Sequence, residues 1–297
     1  MTVAGRSDPA PTPPIVDLSL ARRLEGLAAE ASVTCVRLLK RRSPAREAMT
    51  LEFDGAVATF AGRGSPLSEV LALGLAGAVP DETLDTIERF YEERDSGVRI
   101  QLCPLAEPTL ARRLSGRGYA LVEFEHILVR ALGPSDVDGN RPLPPGVSVA
   151  PARPDELELW SRLTAEGFFA PEPVPAVFDG MFEAMFEYPG GTPWIARVDG
   201  VPAGACAVAL HGDLVDLFAM ATLPAFRERG VQSALIAARL AEGARRGGTL
   251  AVVGAKPGSA SHRNLARAGF VVAYTRPLLV RPAHKLETTR EGHSVLY

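Results

Sequence analysis

Arg227, Glu228, Arg229, Gly230, Val231, Gln232 and Ser233 stand between an apolar run, Leu217 to Leu223 with Pro224, and a helix-patterned stretch that continues to about Arg246. A strand, then arginine and glycine, then a helix start is an arrangement that suits an anion. The first N–H groups of a helix have no partner within it, its dipole favours negative charge there, and glycine admits a close approach. A pyrophosphate would fit, held by Arg227, Arg229 and the N–H groups of Gly230 to Ser233. Arg227 could instead be a solvated surface residue, the lesser of the two readings.

Asp216 lies in the apolar strand Leu214 to Thr222, four residues before Met220. Strand alternation would put both side chains on one face. If that face lines a cleft, Asp216 could act there as a base, directly or through water. It could also be a charge at the strand's exposed edge. Glu166, at the end of a helix-patterned stretch from Pro154, is a weaker alternative that could bind a cation. His211, in a His-Gly turn, is expected at the surface.

A second constellation follows in order. Thr249 to Gly254 reads as a buried strand, and after it come Ser259, Ser261, Asn264, Leu265 and the step Gly269-Phe270. Together the two segments resemble the acyl-CoA signature and the segment after it in the GNAT superfamily of N-acetyltransferases, over roughly residues 147 to 282. Arg227 and Gly230 match the signature, whereas Gln232 stands where a second glycine or alanine is usual. The resemblance implies an α/β fold with a mixed sheet. It also implies an acetyl-CoA-dependent transfer to the primary amine of a small molecule, by direct attack in a ternary complex. The strand end Met220, Ala221 and Thr222 would pair with the pantetheine arm, Arg227 to Ser233 would meet the pyrophosphate, and Ser261 and Asn264 would be further cofactor contacts. Either of those last two could instead cap the helix from about His262. Many family members carry a tyrosine four residues before the Gly-Phe step as acid for the thiolate; here that residue is Leu265, and Tyr274 in the next strand is the substitute considered. The alternative function is a non-catalytic acyl-CoA or ligand sensor of the same fold.

The elements that must position these residues can be read from periodicity. In the second half the order is helix (154–166), helix (176–187), strands at 193–198, 202–210 and 214–222, the signature helix, a strand at 249–254, a helix and a last strand. Gly133 to Gly146 is rich in Gly, Pro, Asn and Asp and reads as a linker. The halves on either side look related. Leu114, Gly118, Leu128, Val129 and Arg130 match Leu265, Gly269, Leu279, Val280 and Arg281 at a constant offset of 151 residues. The hairpin tip Asp54-Gly55 resembles Asp199-Gly200. The chain thus divides into a tail (1–14), a degenerate GNAT-like domain (15–132), the linker (133–146), an acetyl-CoA-binding GNAT domain (147–282) and a tail (283–297). In the first half the corresponding helix opens with Pro80, Asp81 and Glu82, whose carboxylates suit a helix start but not a pyrophosphate. That half is therefore expected to have no acyl-CoA site and to shape the acceptor cleft.

Composition sets the remaining bounds. With 297 residues, 46% hydrophobic and 23% charged, the chain can bury a large core. A net charge of −3 argues against nucleic acid as a partner. The three cysteines are scattered, which fits a reducing cytoplasm, and no cluster has metal-ligand spacing. There is no P-loop and no dinucleotide glycine triplet. The N-terminal stretch lacks a secretory pattern, and the longest uncharged apolar run, Val70 to Pro80, is too short for a membrane span. The expectation is a cytoplasmic enzyme, monomeric or homodimeric.

Overall fold

The computed structural model describes residues 14–137 and 142–283; the expected tails lie almost wholly outside these, as does part of the linker. A 25-residue helix, α1 (Leu18–Arg42), opens the described chain. Asp17 caps it by accepting from the Leu20 N–H at 2.8 Å, and Lys40, Arg41 and Arg42 complement the dipole at its far end. There follow β1 (Met49–Phe53), β2 (Ala56–Phe60), β3 (Val70–Leu71), α2 (Asp81–Glu92), β4 (Val98–Gln101), α3 (Leu110–Gly116) and β5 (Ala120–Ala131). A short helix, α4 (Pro134–Val137), falls within the expected linker. The second half comprises β6 (Val147–Pro151), α5 (Leu157–Phe169), α6 (Met181–Phe186), β7 (Thr192–Val198), β8 (Val201–His211) and β9 (Leu214–Thr222). It ends with α7 (Val231–Arg245), β10 (Leu250–Ala255), α8 (Ala260–Arg267) and β11 (Val271–Arg281).

The expected helix 176–187 is broken. Ala176–Phe178 is a single 3-10 turn, and Gly180, left-handed at φ 73°, restarts the chain as α6. Asp54-Gly55 and Asp199-Gly200 both have positive φ at both residues, which is what a tight two-residue hairpin needs.

All eleven strands form one sheet, in the order β1-β2-β3-β4-β11-β5-β10-β9-β8-β7-β6. The pairs β3–β4 and β9–β10 are parallel and the others antiparallel. The last strands of the two halves are exchanged. β11 lies between β4 and β5, and β5 lies between β10 and β11, antiparallel to both. The strand at the end of each half thus completes the sheet of the other. Helices α7 and the core of Val215, Leu217, Leu235 and Val253 cover one face of the second half. On the other face α5 packs on β8 and β9, and α1 crosses from β2 and β3 of the first half to a core with Leu214, Leu250 and Val252.

Candidate active site

The site begins where β9 leaves β10. The two pair only at Leu214, Val215 and Asp216, against Leu250, Ala251 and Val252. Beyond this, β10 stays with β5 as far as Ala255, and β9 stays with β8 as far as Thr222. From Leu217 onward the side of β9 that faced β10 has no strand beside it. An extended chain could add there by backbone hydrogen bonds, as at any open strand edge.

β9 also carries a bulge. Ala207 faces Phe218 but Ala205 faces Ala221, so β9 has one residue more than β8 across this step, and Ala219 is left-handed at φ 51°. This corrects the expectation that Asp216 and Met220 share a face. The extra residue shifts the alternation, so Met220 packs toward α7 while Asp216 points to the α1 side, beside Cys35 and Tyr188. Beneath the bulge lies Arg239 of α7, fully buried. It donates to the carbonyl oxygens of Ala207 at 3.5 Å and Phe218 at 3.4 Å, and its Nη2 is 2.8 Å from the Met220 sulfur. The guanidinium thus supplies donors to backbone carbonyls where the ladder is interrupted.

At the end of β9, Gly167 of α5 allows the helix to touch the strand: a Cβ there would lie 2.6 Å from the Ala221 Cβ and 3.0 Å from the Thr222 nitrogen. The buried Thr222 Oγ1 has no hydrogen-bond partner. The chain then turns through Arg227 to Gly230 into α7. Glu228 and Gly230 are both left-handed, at φ 64° and 78°. Gly230 is the N-cap, no side chain caps the helix, and no acidic residue lies in its first turn, so the leading N–H groups remain open to an anion. Arg227 is exposed and reaches the Gly167 carbonyl at 3.4 Å. Arg229 is held by Asp199 at 3.2 Å. The Val231 side chain is buried, leaving only its backbone for a ligand, and Ser233 is exposed. A Cβ on Gly230 would lie 2.4 Å from Pro144 Cγ, so the segment before β6 packs against this helix start.

In the first half the matching helix start is acidic. Asp81 and Glu82 occupy the first turn of α2, and Arg113 binds Asp81 at 2.7 Å and the Val79 carbonyl at 2.6 Å.

On the other side of the opening, α8 starts at Ala260, earlier than expected, and its cap is Ser259, which accepts from the His262 N–H at 3.0 Å. Ser261 and Asn264 are therefore not caps. Ser261 lines the cleft, and Asn264 hydrogen-bonds Gln232 and Arg267, joining α8 to the first turn of α7.

The opening leads into a cleft with about 170 Å³ of internal space. It is lined by Asp216 to Met220, Val253, Gly254, Ser261 and Arg276 of the second half, and by α1, Leu67, Glu69 and Leu71 of the first. Asp216, Met220 and Ser261 are thus brought to one cavity. Burial pushes the Asp216 carboxyl up to about 6, against the pull of His211 and Arg239. That places it in a useful range for a base near neutral pH. His211 is not a plain surface residue: its ring packs on Tyr188, whose hydroxyl is 3.4 Å from Nε2. Tyr188, Ser32 and Cys35 also line the cleft. Sequence reasoning missed all three, and none carries a local signal, since two sit in α1 and Tyr188 follows α6. Burial, with Asp216 nearby, raises the Cys35 thiol to about 12, so it stays protonated.

Tyr274 is not at the cleft. It is buried beneath α1, donating to Glu25 Oε1 at 2.7 Å, and burial, with Glu25 adding to it, holds its hydroxyl far above the ordinary phenol range. Its proton is committed to Glu25, so the geometry does not support an acid role. Leu265, where a tyrosine is usual by resemblance, is a core residue. Among the described residues no group of metal-ligating side chains is found, and no helix is long and apolar enough to cross a membrane.

Residues 157–270, within the second half, match the acetyltransferase (GNAT) family model, which supports an acyltransferase built on this mixed α/β sheet. Similar solved structures include a GCN5-related N-acetyltransferase from Kribbella flavida, with TM-score 0.61 and 20% identity, covering 89% of this chain and 97% of that one. A tandem GNAT protein from the clavulanic acid biosynthesis pathway gives TM-score 0.59 at 15% identity, covering 91% and 96%. A GCN5-related N-acetyltransferase from Sphaerobacter thermophilus gives 0.56 at 16%, covering 94% and 97%. At these identities the likeness is one of fold. No curated protein matches the chain.

Proposed function

We propose that the chain transfers an acetyl group from acetyl-CoA to the primary amine of a small molecule by direct attack in a ternary complex, and that it binds one acetyl-CoA, in the second half. The observation that carries this is the divergence of β9 from β10 directly before an uncapped, acid-free helix start. The open side of β9 from Leu217 to Thr222 takes the pantetheine arm as an added strand. The N–H groups of Gly230 to Ser233 meet the pyrophosphate, with Arg227 and Arg229 near them and Asn264 and Ser261 across the opening.

The thioester supplies an activated acyl carbon with a good leaving group. The chain holds the amine against it and removes a proton. Asp216 is the base, reached directly or through water in the cleft. Arg239 acts as a positioning residue, fixing the bulge that sets the path of β9 past Phe218. With Leu265 and Tyr274 unable to serve, the thiolate leaves without a dedicated acid, which is reasonable for a thiol with a pKa of about 8.5. The first half, its own helix start made acidic by Asp81 and Glu82, contributes α1 and the Leu67 to Leu71 segment as walls for the acceptor. The setting is proposed to be the cytoplasm.

A thiol-release assay with acetyl-CoA and a broad panel of primary amines tests the reading. Release that depends on an amine supports it. Tight acetyl-CoA binding with no release for any amine would instead favour a sensor of the same fold, the reading that the absent acid also suits.

A further inference from the structure

We propose that the acceptor carries two cationic groups joined by an apolar spacer, one amine presented at the β9 wall near Asp216 and the second cation held by Glu69 of the first half. The inference rests on the acyltransfer reading for the first amine, and on independent observations for the second.

Glu69 stands immediately before β3. Its backbone is fixed by two hydrogen bonds with Thr59, at 2.9 and 3.1 Å, so its side chain is held at a set place on the cleft wall. It is 3% exposed. Its Oε2 accepts one long bond from Gln101 Nε2 at 3.4 Å, and its Oε1 has no hydrogen-bond partner among the described residues. A carboxylate so enclosed and so poorly bonded is costly unless something else meets it.

The surrounding charges do not meet it. Arg276 gives Nη1 to Glu25 at 3.1 Å and both Nε and Nη2 to Glu125, at 2.7 and 2.6 Å. Arg99 acts on Glu69 only at longer range. Three buried carboxylates thus share two guanidinium groups, and Glu69 is the one with no bonded cation. It is also the one of the three that lines the cleft. Burial raises the Glu69 carboxyl above its ordinary range, against Arg99 and Arg276, and a bound ammonium would draw it back to the ionised form.

The cleft that holds both acids is lined largely by apolar residues, Leu27, Leu67, Leu71, Phe168 and Phe218 among them, with Ser32, Cys35, Tyr188 and Arg276 also on its wall. The apolar share of the wall favours a hydrocarbon linker. Leu67 and Phe218 both pack against the group of Cys35, Tyr188 and Ala209, so the first-half segment that carries Glu69 and the strand that carries Asp216 share one core. This gives the first half a task in substrate choice: it supplies the charge that selects the acceptor.

The test uses the full chain and calorimetry with a homologous series of α,ω-diaminoalkanes, each compared with the monoamine of the same length. Wild-type protein should bind one or two of the diamines about tenfold or more tighter than their monoamines, the scale of one hydrogen bond to a charged group. E69Q, which keeps the shape and removes the charge, should abolish the difference and leave acetyl-CoA affinity unchanged. If E69Q does not fold, E69D replaces it: drawing the carboxylate back should move the preferred diamine to a longer spacer. Equal binding of diamines and monoamines by wild-type protein, or a preference that survives E69Q or keeps its spacer in E69D, overturns the proposal. Thiol release separates the two readings. A calorimetric preference without release for any amine would sink acyl transfer and leave the charge recognition standing.

Discussion

Asp216 should make the protein less stable where it makes the enzyme active. Its carboxyl is moved by burial from 3.8 to about 6. Because the folded value is the higher one, the folded state binds its proton more tightly than the unfolded chain does. The associated stability is therefore fully present below about pH 4 and is lost as pH rises through about 6. A shift of this size corresponds to about 3 kcal/mol, at 1.36 kcal/mol per unit. Asp216→Asn removes the charge and keeps the shape. At pH 8 the variant should be more stable than wild type by roughly 2–3 kcal/mol, and the gap should close by about pH 4. The same variant should lose about 10²-fold or more in turnover, the scale of a general base, and the limb of the wild-type pH–rate profile near pH 6 should disappear with it. Urea unfolding at several pH values, beside thiol-release kinetics, reads both effects. A variant no more stable than wild type at pH 8, or a stability gain that does not depend on pH, would refute the burial argument. Full turnover would refute the base assignment.

Two further substitutions follow from the site geometry. Gly230→Ala should cost about 1–3 kcal/mol of stability in denaturant unfolding, from its left-handed backbone and the approach of Pro144, and should weaken acetyl-CoA binding in whatever protein folds. Tyr274→Phe should behave as a stability variant: it leaves Glu25 Oε1 without its buried donor, Arg276 remaining on Oε2, at a cost of about 1–3 kcal/mol, with turnover at saturating substrates little changed.

Much of the second half can be read from local pattern. The strand Leu214 to Thr222, the helix after Gly230 and the Asp199-Gly200 hairpin fall where apolar runs, a glycine and a turn pair put them. The repeat offset of 151 also has a structural counterpart. It carries Ala120–Arg130 onto Val271–Arg281, the parts of β5 and β11 that lie side by side at the centre of the sheet. What local pattern does not carry is whatever depends on a distant partner. The exchange of β5 and β11 is one case, since each strand has the right alternation for either neighbour. The bulge at Ala219 is another: nothing about an alanine between phenylalanine and methionine announces a positive φ, yet this residue sends Asp216 and Met220 to opposite faces. Helix α1 escaped notice because its buried side mixes Ala21, Ser32, Cys35 and the charged Glu25 with its leucines, so the apolar stripe is diluted. That helix then supplies much of the cleft wall, so the acceptor site stayed hidden with it. The proposed cofactor side is a contiguous strand–turn–helix, which local pattern can carry.

The central claim is that acetyl-CoA binds at the opening between β9 and β10, before α7, and nowhere in the first half. Calorimetric titration of the full chain with acetyl-CoA measures this directly. About one site per chain, weakened by Gly230→Ala, is the result predicted by an acid-free helix start in the second half and the acidic one, Asp81 and Glu82, at its counterpart in the first. Two equivalent sites, or no binding at all, would contradict it.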